Sequence, residues 1–372
     1  MGNTEDYVKR LREHELIIQA PGRINLIGEH TDYNGGLALP AAISQSIFLG
    51  ISRSEEFLVT ALDRQETSNL SSMEHNWVVY IKGVLDLIAV EVAVLPPFRM
   101  EFGGDLPSGA GLSSSSALTC GLVRALNELF SLGLSIEEET KLSVIAEKSS
   151  GLLGGMMDQI TILNGKADYA LLINCSNWSF EYVAAELEGF TWLIVDTKVK
   201  HNLVDSDYNN RSSSCNNIKK ILSANSFIVD YISELRFEHI DKVKSLLSEL
   251  EFTYLKYVLE ENDRVRHFVK SLRNQDPVQL GKILFEGHKG LKEYYKVSCE
   301  ELDFLVDFAE ENKLCLGARM MGGGFGGCTI HLLPSQFQEE YSLEISASYK
   351  RKFGFSPFIF AAKITDGVRR IT

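Results

Sequence analysis

The sequence predicts an α+β protein large enough for two domains. Short β-rich runs and longer helical patterns are interspersed without the regular βαβ alternation of a doubly wound sheet. A chain of 372 residues can bury a sizeable core without covalent staples. Hydrophobic residues at 45% and charged residues at 23% match a globular enzyme rather than a disordered or fibrous chain.

The first third reads as strands at Leu16–Gln19, Leu37–Pro40, Ile47–Ile51 and Phe57–Ala61, each bounded by turn signals. Trp77, Tyr80, Ile81, Val84, Leu85 and Ile88 recur at helical spacing and form one buried face. A second helix is expected from Ser114 to Phe130, with Leu118, Leu122, Ala125, Leu126 and Leu129 inward. A third starts at Ser135, where Ser135 and Glu138 have capping-box spacing. Ala167–Ile173 and Thr191–Thr197 read as strands, and helical patterns follow at about 213–234, 240–249, 276–292 and 299–312. A glycine-rich loop then precedes β-like runs at Thr329–Leu333 and Phe358–Ile364. A domain boundary is expected near 175–190, dividing the chain into 1–180 and 181–372.

A net charge of −13 argues against a nucleic-acid or anionic-membrane surface. It leaves room for an anionic substrate in a small cationic pocket. The six cysteines lie 13 or more residues apart and form no CxxC or Cys/His cluster, so reduced thiols are the simplest reading. The start MGNTEDYVKRLREHE lacks the apolar core of a signal peptide, and the run Val84–Phe98 is too short and too charged to span a bilayer. The expectation is a cytoplasmic protein, monomer or weak dimer, with no nucleic acid and no membrane as partner.

Four stretches carry candidate chemistry. RINLIGEHTDYNGG (Arg23–Gly36) crowds Arg23, Glu29, His30 and Asp32 beside backbone breakers, which suits either a solvated turn or a pocket floor. DLPSGAGLSSSSAL (Asp105–Leu118) lets the backbone come close to a ligand at Gly109 and Gly111 before serines open a helix. Its unpaired N–H groups and helix dipole suit an anion, although a glycine turn before a serine-capped helix has the same pattern. It is neither Walker A, since no Lys follows the last Gly, nor GxGxxG. GARMMGGGFGGC (Gly317–Cys328) is so poor in side chains that close approach to a ligand or another loop is its expected use. In GLLGGMMDQITILNG (Gly151–Gly165), Asp158 stands in an otherwise uncharged run. It is either a turn carboxylate or one paired with an Arg to activate a hydroxyl.

Together these stretches resemble the GHMP kinase superfamily and, within it, the galactokinase family. The galactokinase signature GRVNLIGEHTDYNGG differs here only by Ile24 for Val. The second motif appears as PSGAGLSSSSA with Ser116 at the usual Ala, and the third has Met321 at the usual Thr. WVVYIKGV (Trp77–Val84), KVKHNLVDSDYNNR (Lys198–Arg211) and KVSCEELDFLV (Lys296–Val306) also match, so the resemblance runs from about Gln19 to Leu333. Three departures stand out. The usual SHxSL is GHKGL (Gly287–Leu291), Arg211 is followed by three serines, and the span from Glu147 to Asp158 is one residue shorter.

The resemblance implies an amino-terminal domain like ribosomal protein S5 domain 2, a ferredoxin-like carboxy-terminal domain and a site between them. It implies phosphoryl transfer from ATP, with Mg²⁺, to the anomeric hydroxyl of a sugar, galactose first. Galacturonate, arabinose or N-acetylgalactosamine are the alternative substrates, and a non-catalytic galactose and ATP sensor is the alternative role. Asp158 matches the catalytic carboxylate and Arg23 its cationic neighbour. Glu29, His30, Asp32 and Tyr208 match sugar contacts, while Gly109, Gly111, Ser113, Ser114 and Ser115 match the ATP phosphate loop. Ser115 and Glu147 match the Mg²⁺-associated pair, Lys200 a basic residue near the phosphates, and Trp77 and Tyr80 aromatics near the adenine.

Overall fold

In this computed structural model the described residues are 4–148, 151, 154–200 and 204–371, without the side chains of 200 and 204–207. The expected α+β architecture is present. The first half, joined by the carboxy-terminal strand Arg369–Arg370, builds a six-stranded sheet in the order Arg369–Arg370, Leu16–Asn25, Pro40–Arg53, Phe98–Gly104, Leu58–Ala61 and Glu66–Ser68. Its pairings are antiparallel except that Leu58–Ala61 runs parallel to Phe98–Gly104. A smaller sheet joins Leu37–Ala38, Tyr169–Asn174 and Ser179–Ala184. The second half builds a four-stranded antiparallel sheet in the order Gly317–Met321, Gly326–Pro334, Phe190–Lys200 and Phe358–Ala361.

Helix Ser114–Phe130 packs on strands Leu16–Asn25 and Pro40–Arg53. Its buried face includes Leu118, Leu122, Ala125, Leu126 and Leu129, as the spacing predicts. Helix Ile136–Lys148 begins where the capping box does: Ser135 and Glu138 exchange hydrogen bonds through Oγ and Oε2. On the second sheet lie helices Pro277–Lys289 and Glu300–Glu311. One continuous apolar core joins the two halves, since Leu26, Ile27, Phe268, Leu284, Met321 and Ile330 belong to the same buried cluster as Leu118. Among the described residues no helix is long and apolar enough to cross a membrane.

Two helical expectations fail. The pattern over 213–234 belongs to a helix running Val204–Ala224, followed by a short 3-10 turn at Ile232–Glu234. The pattern over 240–249 breaks into one turn at Ile240–Val243 and a 3-10 turn at Lys244–Leu246. A new helix then runs Glu249–Arg273, started by a capping box in which Ser248 Oγ accepts from Glu251 N. Ser248 is extended, so no helix can pass through it.

Candidate active site

Strand Leu16–Asn25 changes register against Pro40–Arg53 between Pro21 and Gly22, a bulge of the kind that re-aims the next side chain. That side chain is Arg23. Its Nε donates to Asp158 Oδ1 at 2.7 Å, and its Nη1 donates to the carbonyl of Gly111 in the glycine turn before helix Ser114–Phe130. Asp158, in the first turn of helix Met157–Asn164, takes a second hydrogen bond from Ser113 Oγ at 2.5 Å. The carboxylate expected to be paired with an Arg is therefore held on both oxygens.

Ser113 precedes helix Ser114–Phe130 in a left-handed conformation (φ 61°, ψ 46°) and makes no side-chain cap. Its hydroxyl is committed to Asp158 instead of the first-turn N–H groups. The helix start is left with donors that suit an anion, which favours the phosphate reading over a serine-capped turn.

The glycine-rich loop at 322–327 lies against the turn at Ala110–Gly111. Gly322 (φ +86°) and Gly111 (φ +74°) are packed so closely that a Cβ on Gly322 would sit 3.2 Å from Gly111 Cα. Of the two expected uses, ligand approach or loop approach, the loop contact is therefore present. The same loop reaches the sugar signature: Gly322 N donates to Glu29 Oε1 at 2.9 Å. Arg319 Nη2 adds a contact to that oxygen at 3.2 Å, while its Nε donates to the Leu26 carbonyl at 3.1 Å. Arg319 is fully buried and is the main residue missed from sequence. A lone charge in a glycine-rich run was its signal.

Arg23, Glu29, His30, Asp32, Gly109, Gly111, Ser113–Ser116, Glu147, Asp158 and Tyr208 line one cavity of about 240 Å³. Trp77 and Tyr80 do not line it. Trp77 is buried, with its indole N–H donating to Glu66 at 2.7 Å and its ring stacked on His75. Lys200 ends strand Phe190–Lys200 opposite Gly326, and its side chain lies outside the described residues. The shortened span before Asp158 also includes residues outside them, 149–150 and 152–153.

Burial, and then the neighbouring Asp158 charge, push the Asp32 carboxyl up to about 6, against the backbone N–H of Tyr33, the Arg23 charge and a hydrogen bond from Gly155 N at 3.1 Å. Burial, and then the Arg211 charge, push the His30 imidazole down to about 3, so it is neutral at pH 7. Burial raises Glu147, although Ser115 Oγ (2.5 Å), Ser116 Oγ (2.7 Å) and Gln159 Nε2 all donate to its carboxyl. Among the described residues there is no cluster of three or more His, Cys, Asp or Glu suited to a metal. Mg²⁺ does not require one, since it is held by one or two protein oxygens plus phosphates and water. The Ser115 hydroxyl and Glu147 carboxylate, both lining the cavity, fit that demand.

Met321 stands where the third motif usually has Thr. Its Sδ accepts from Asn25 N at 3.2 Å, while both polar atoms of the buried Asn25 amide lack a partner. No side-chain hydroxyl is offered to Asn25 from position 321.

Comparisons with known proteins place the family and the fold. Residues 5–53 match the galactokinase galactose-binding signature, 79–166 the GHMP kinases N terminal domain, and 268–343 the GHMP kinases C terminal domain. A galactokinase of Thermotoga maritima is 38% identical over 357 residues, covering 95% of this chain and 99% of that protein. One of Clostridium beijerinckii is 33% identical, covering 97% and 96%. The crystal structure of Lactococcus lactis galactokinase complexed with galactose superposes with a TM-score of 0.91 at 26% identity, covering 98% of both chains. Methanococcus jannaschii mevalonate kinase shares the fold alone, with a TM-score of 0.66 at 20% identity over 95% of this chain and 100% of that one. With a relative this similar over nearly its full length, and with the two-domain α+β fold in common, this chain belongs to the GHMP kinase superfamily and, within it, to the galactokinase family.

Proposed function

We propose that this chain transfers the γ-phosphoryl group of ATP to the anomeric hydroxyl of D-galactose, giving ADP and galactose 1-phosphate. The observation that carries this reading is the Arg23–Asp158–Ser113 constellation, set in one cavity with Glu29, His30 and Asp32. Phosphoryl transfer depends mostly on positioning and electrostatics, and this arrangement supplies both. Asp158 faces the attacking hydroxyl and takes its hydrogen bond. Arg23 pairs with Asp158 and offsets the charge that develops as the phosphoryl group moves. Glu29, His30, Asp32 and Tyr208 hold the remaining sugar hydroxyls, and an epimer that leaves such a group unpaired is rejected.

Gly109, Gly111 and Ser113–Ser115 carry the phosphates, with Lys200 beside them. Trp77 and Tyr80, outside the cavity, are assigned to the adenine side. Ser115 and Glu147 would hold Mg²⁺, which when bound neutralises phosphate charge. Residues 1–180 and 181–372 form the two walls of the site.

A coupled ADP-release assay with ATP, Mg²⁺ and a panel of free sugars tests the reading. Galactose is the expected substrate. Turnover of galacturonate, arabinose or N-acetylgalactosamine with galactose inert would replace the sugar and keep the kinase. No turnover of any sugar, with ATP and galactose still bound, would make the chain a sensor.

A further inference from the structure

His30 is tied to parts of the chain that carry no motif. Its backbone is left-handed (φ 60°), its ring is buried with the Gly323 backbone beside it, and its Nε2 makes no well-formed hydrogen bond. Its Nδ1 lies 2.8 Å from the Tyr33 hydroxyl. That hydroxyl lies 2.9 Å from the Tyr295 hydroxyl, which lies 3.2 Å from Cys215 Sγ. The four groups come from the sugar signature, from helix Val204–Ala224, and from the π-helical turn Gly290–Tyr295 that extends helix Pro277–Lys289. Tyr295 and Cys215 are buried.

A neutral imidazole carries one N–H, and the nitrogen that bears it is set by what the other nitrogen bonds. Each of Tyr33, Tyr295 and Cys215 has a single proton, so the protons along this chain all run one way. If they run toward His30, the thiol donates to Tyr295, Tyr295 to Tyr33, and Tyr33 to Nδ1. If they run away, an imidazole N–H is spent on a phenol and a phenol O–H on sulfur, a weak acceptor. The first direction ends on an imidazole nitrogen, a better acceptor than sulfur.

Burial pushes the Cys215 thiol up to about 11, against the Tyr295 and Asn34 side chains and the Arg211 charge, so it keeps its proton. The Arg211 guanidinium lies 4.3 Å from the Tyr254 ring centroid and 5.6 Å from that of Tyr295. The same cation disfavours a second proton on His30 and so keeps the imidazole neutral.

We infer that Tyr33, Tyr295 and Cys215 form a positioning relay that fixes His30 as its Nε2–H tautomer. The sugar loop then offers one N–H donor among the acceptors Glu29, Asp32 and Asp158. If the cavity binds a sugar, as proposed above, His30 meets a substrate oxygen acting as acceptor, while the carboxylates take the hydroxyl protons.

Long-range ¹H–¹⁵N spectra of the full-length, ¹⁵N-histidine-labelled protein test this, with His30 assigned by the signal lost in His30→Asn. The relay requires Nε2 protonated and Nδ1 bare in the wild type, and a mixture of tautomers in Tyr33→Phe. In the sugar kinase assay Tyr33→Phe raises the sugar KM about tenfold, with kcat and the ATP KM changed much less. Cys215→Ala weakens the preference for Nε2–H and Cys215→Ser restores it, a pair that carries the test if Tyr33→Phe does not fold. An Nδ1–H tautomer in the wild type overturns the relay, as does an unchanged tautomer in Tyr33→Phe and Cys215→Ala. A lower kcat at unchanged sugar KM in Tyr33→Phe also overturns it. A wild type that phosphorylates no sugar yet shows the Nε2–H tautomer refutes the proposed function and leaves the relay standing.

Discussion

Two carboxylates share the cavity in unlike surroundings. Asp158 has the Arg23 guanidinium on one oxygen and the Ser113 hydroxyl on the other, whereas Asp32 has only backbone N–H donors, faces the Asp158 charge and is pushed up to about 6. Such a raised carboxyl destabilises the empty protein once it ionises. Its favourable contribution is complete below the unfolded value of 3.8 and is lost as pH rises through 6. Asp32→Asn is therefore expected to stabilise the sugar-free protein by about 1–2 kcal/mol at pH 8, discounted for partial exposure, and by less at pH 5. Denaturant melts at the two pH values check this, and equal gains would contradict it. In the wild type the sugar KM is expected to rise below about pH 6, where Asp32 gains a proton and ceases to be a full acceptor. Arg23, Glu29, His30 and Asp32 were legible as a set because they sit within ten positions of one another. Arg319, Tyr295 and Cys215 were not, because their partners lie 290, 262 and 80 positions away and no local pattern records that.

Among the elements, the two glycine loops explain each other. The loop at 322–327 supports the phosphate loop and bonds Glu29, so one segment contacts both halves of the site. A methyl on Gly322 meets Gly111 Cα in a backbone conformation that L-residues rarely adopt. Gly322→Ala is expected to cost about 1–2 kcal/mol of stability. It should also lower kcat/KM for ATP by on the order of tenfold or more through a displaced phosphate loop. Steady-state kinetics with varied ATP check the second effect, and an unchanged kcat/KM would separate the two loops. Helix Ser114–Phe130 was legible because its apolar spacing is unbroken. Helix Glu249–Arg273 was missed although Ser248 and Glu251 have the same capping-box spacing that marked Ser135 and Glu138. An apolar pattern straddling Ser248 outweighed the cap, and the cap decided the structure.

Over the whole molecule, the α+β class followed from the irregular alternation of strands and helices. The sheet partners did not follow, since pairings such as Gln19 with Arg369 join opposite ends of the chain. The net charge of −13 coexists with a site whose working charges are local, Arg23 on Asp158 and Arg319 on Glu29. Bulk charge therefore argues against broad anionic partners without describing the cavity. What the whole fold achieves is to bring Arg23 and Asp158, 135 positions apart, within 2.7 Å of each other. The proposed chemistry depends on that pair. The decisive measurement is kcat for galactose phosphorylation by Asp158→Asn, alongside its galactose affinity and circular dichroism. A loss of on the order of 10²-fold or more, with fold and sugar binding kept, is the expected result. A kcat near that of the wild type would remove Asp158 from the reaction.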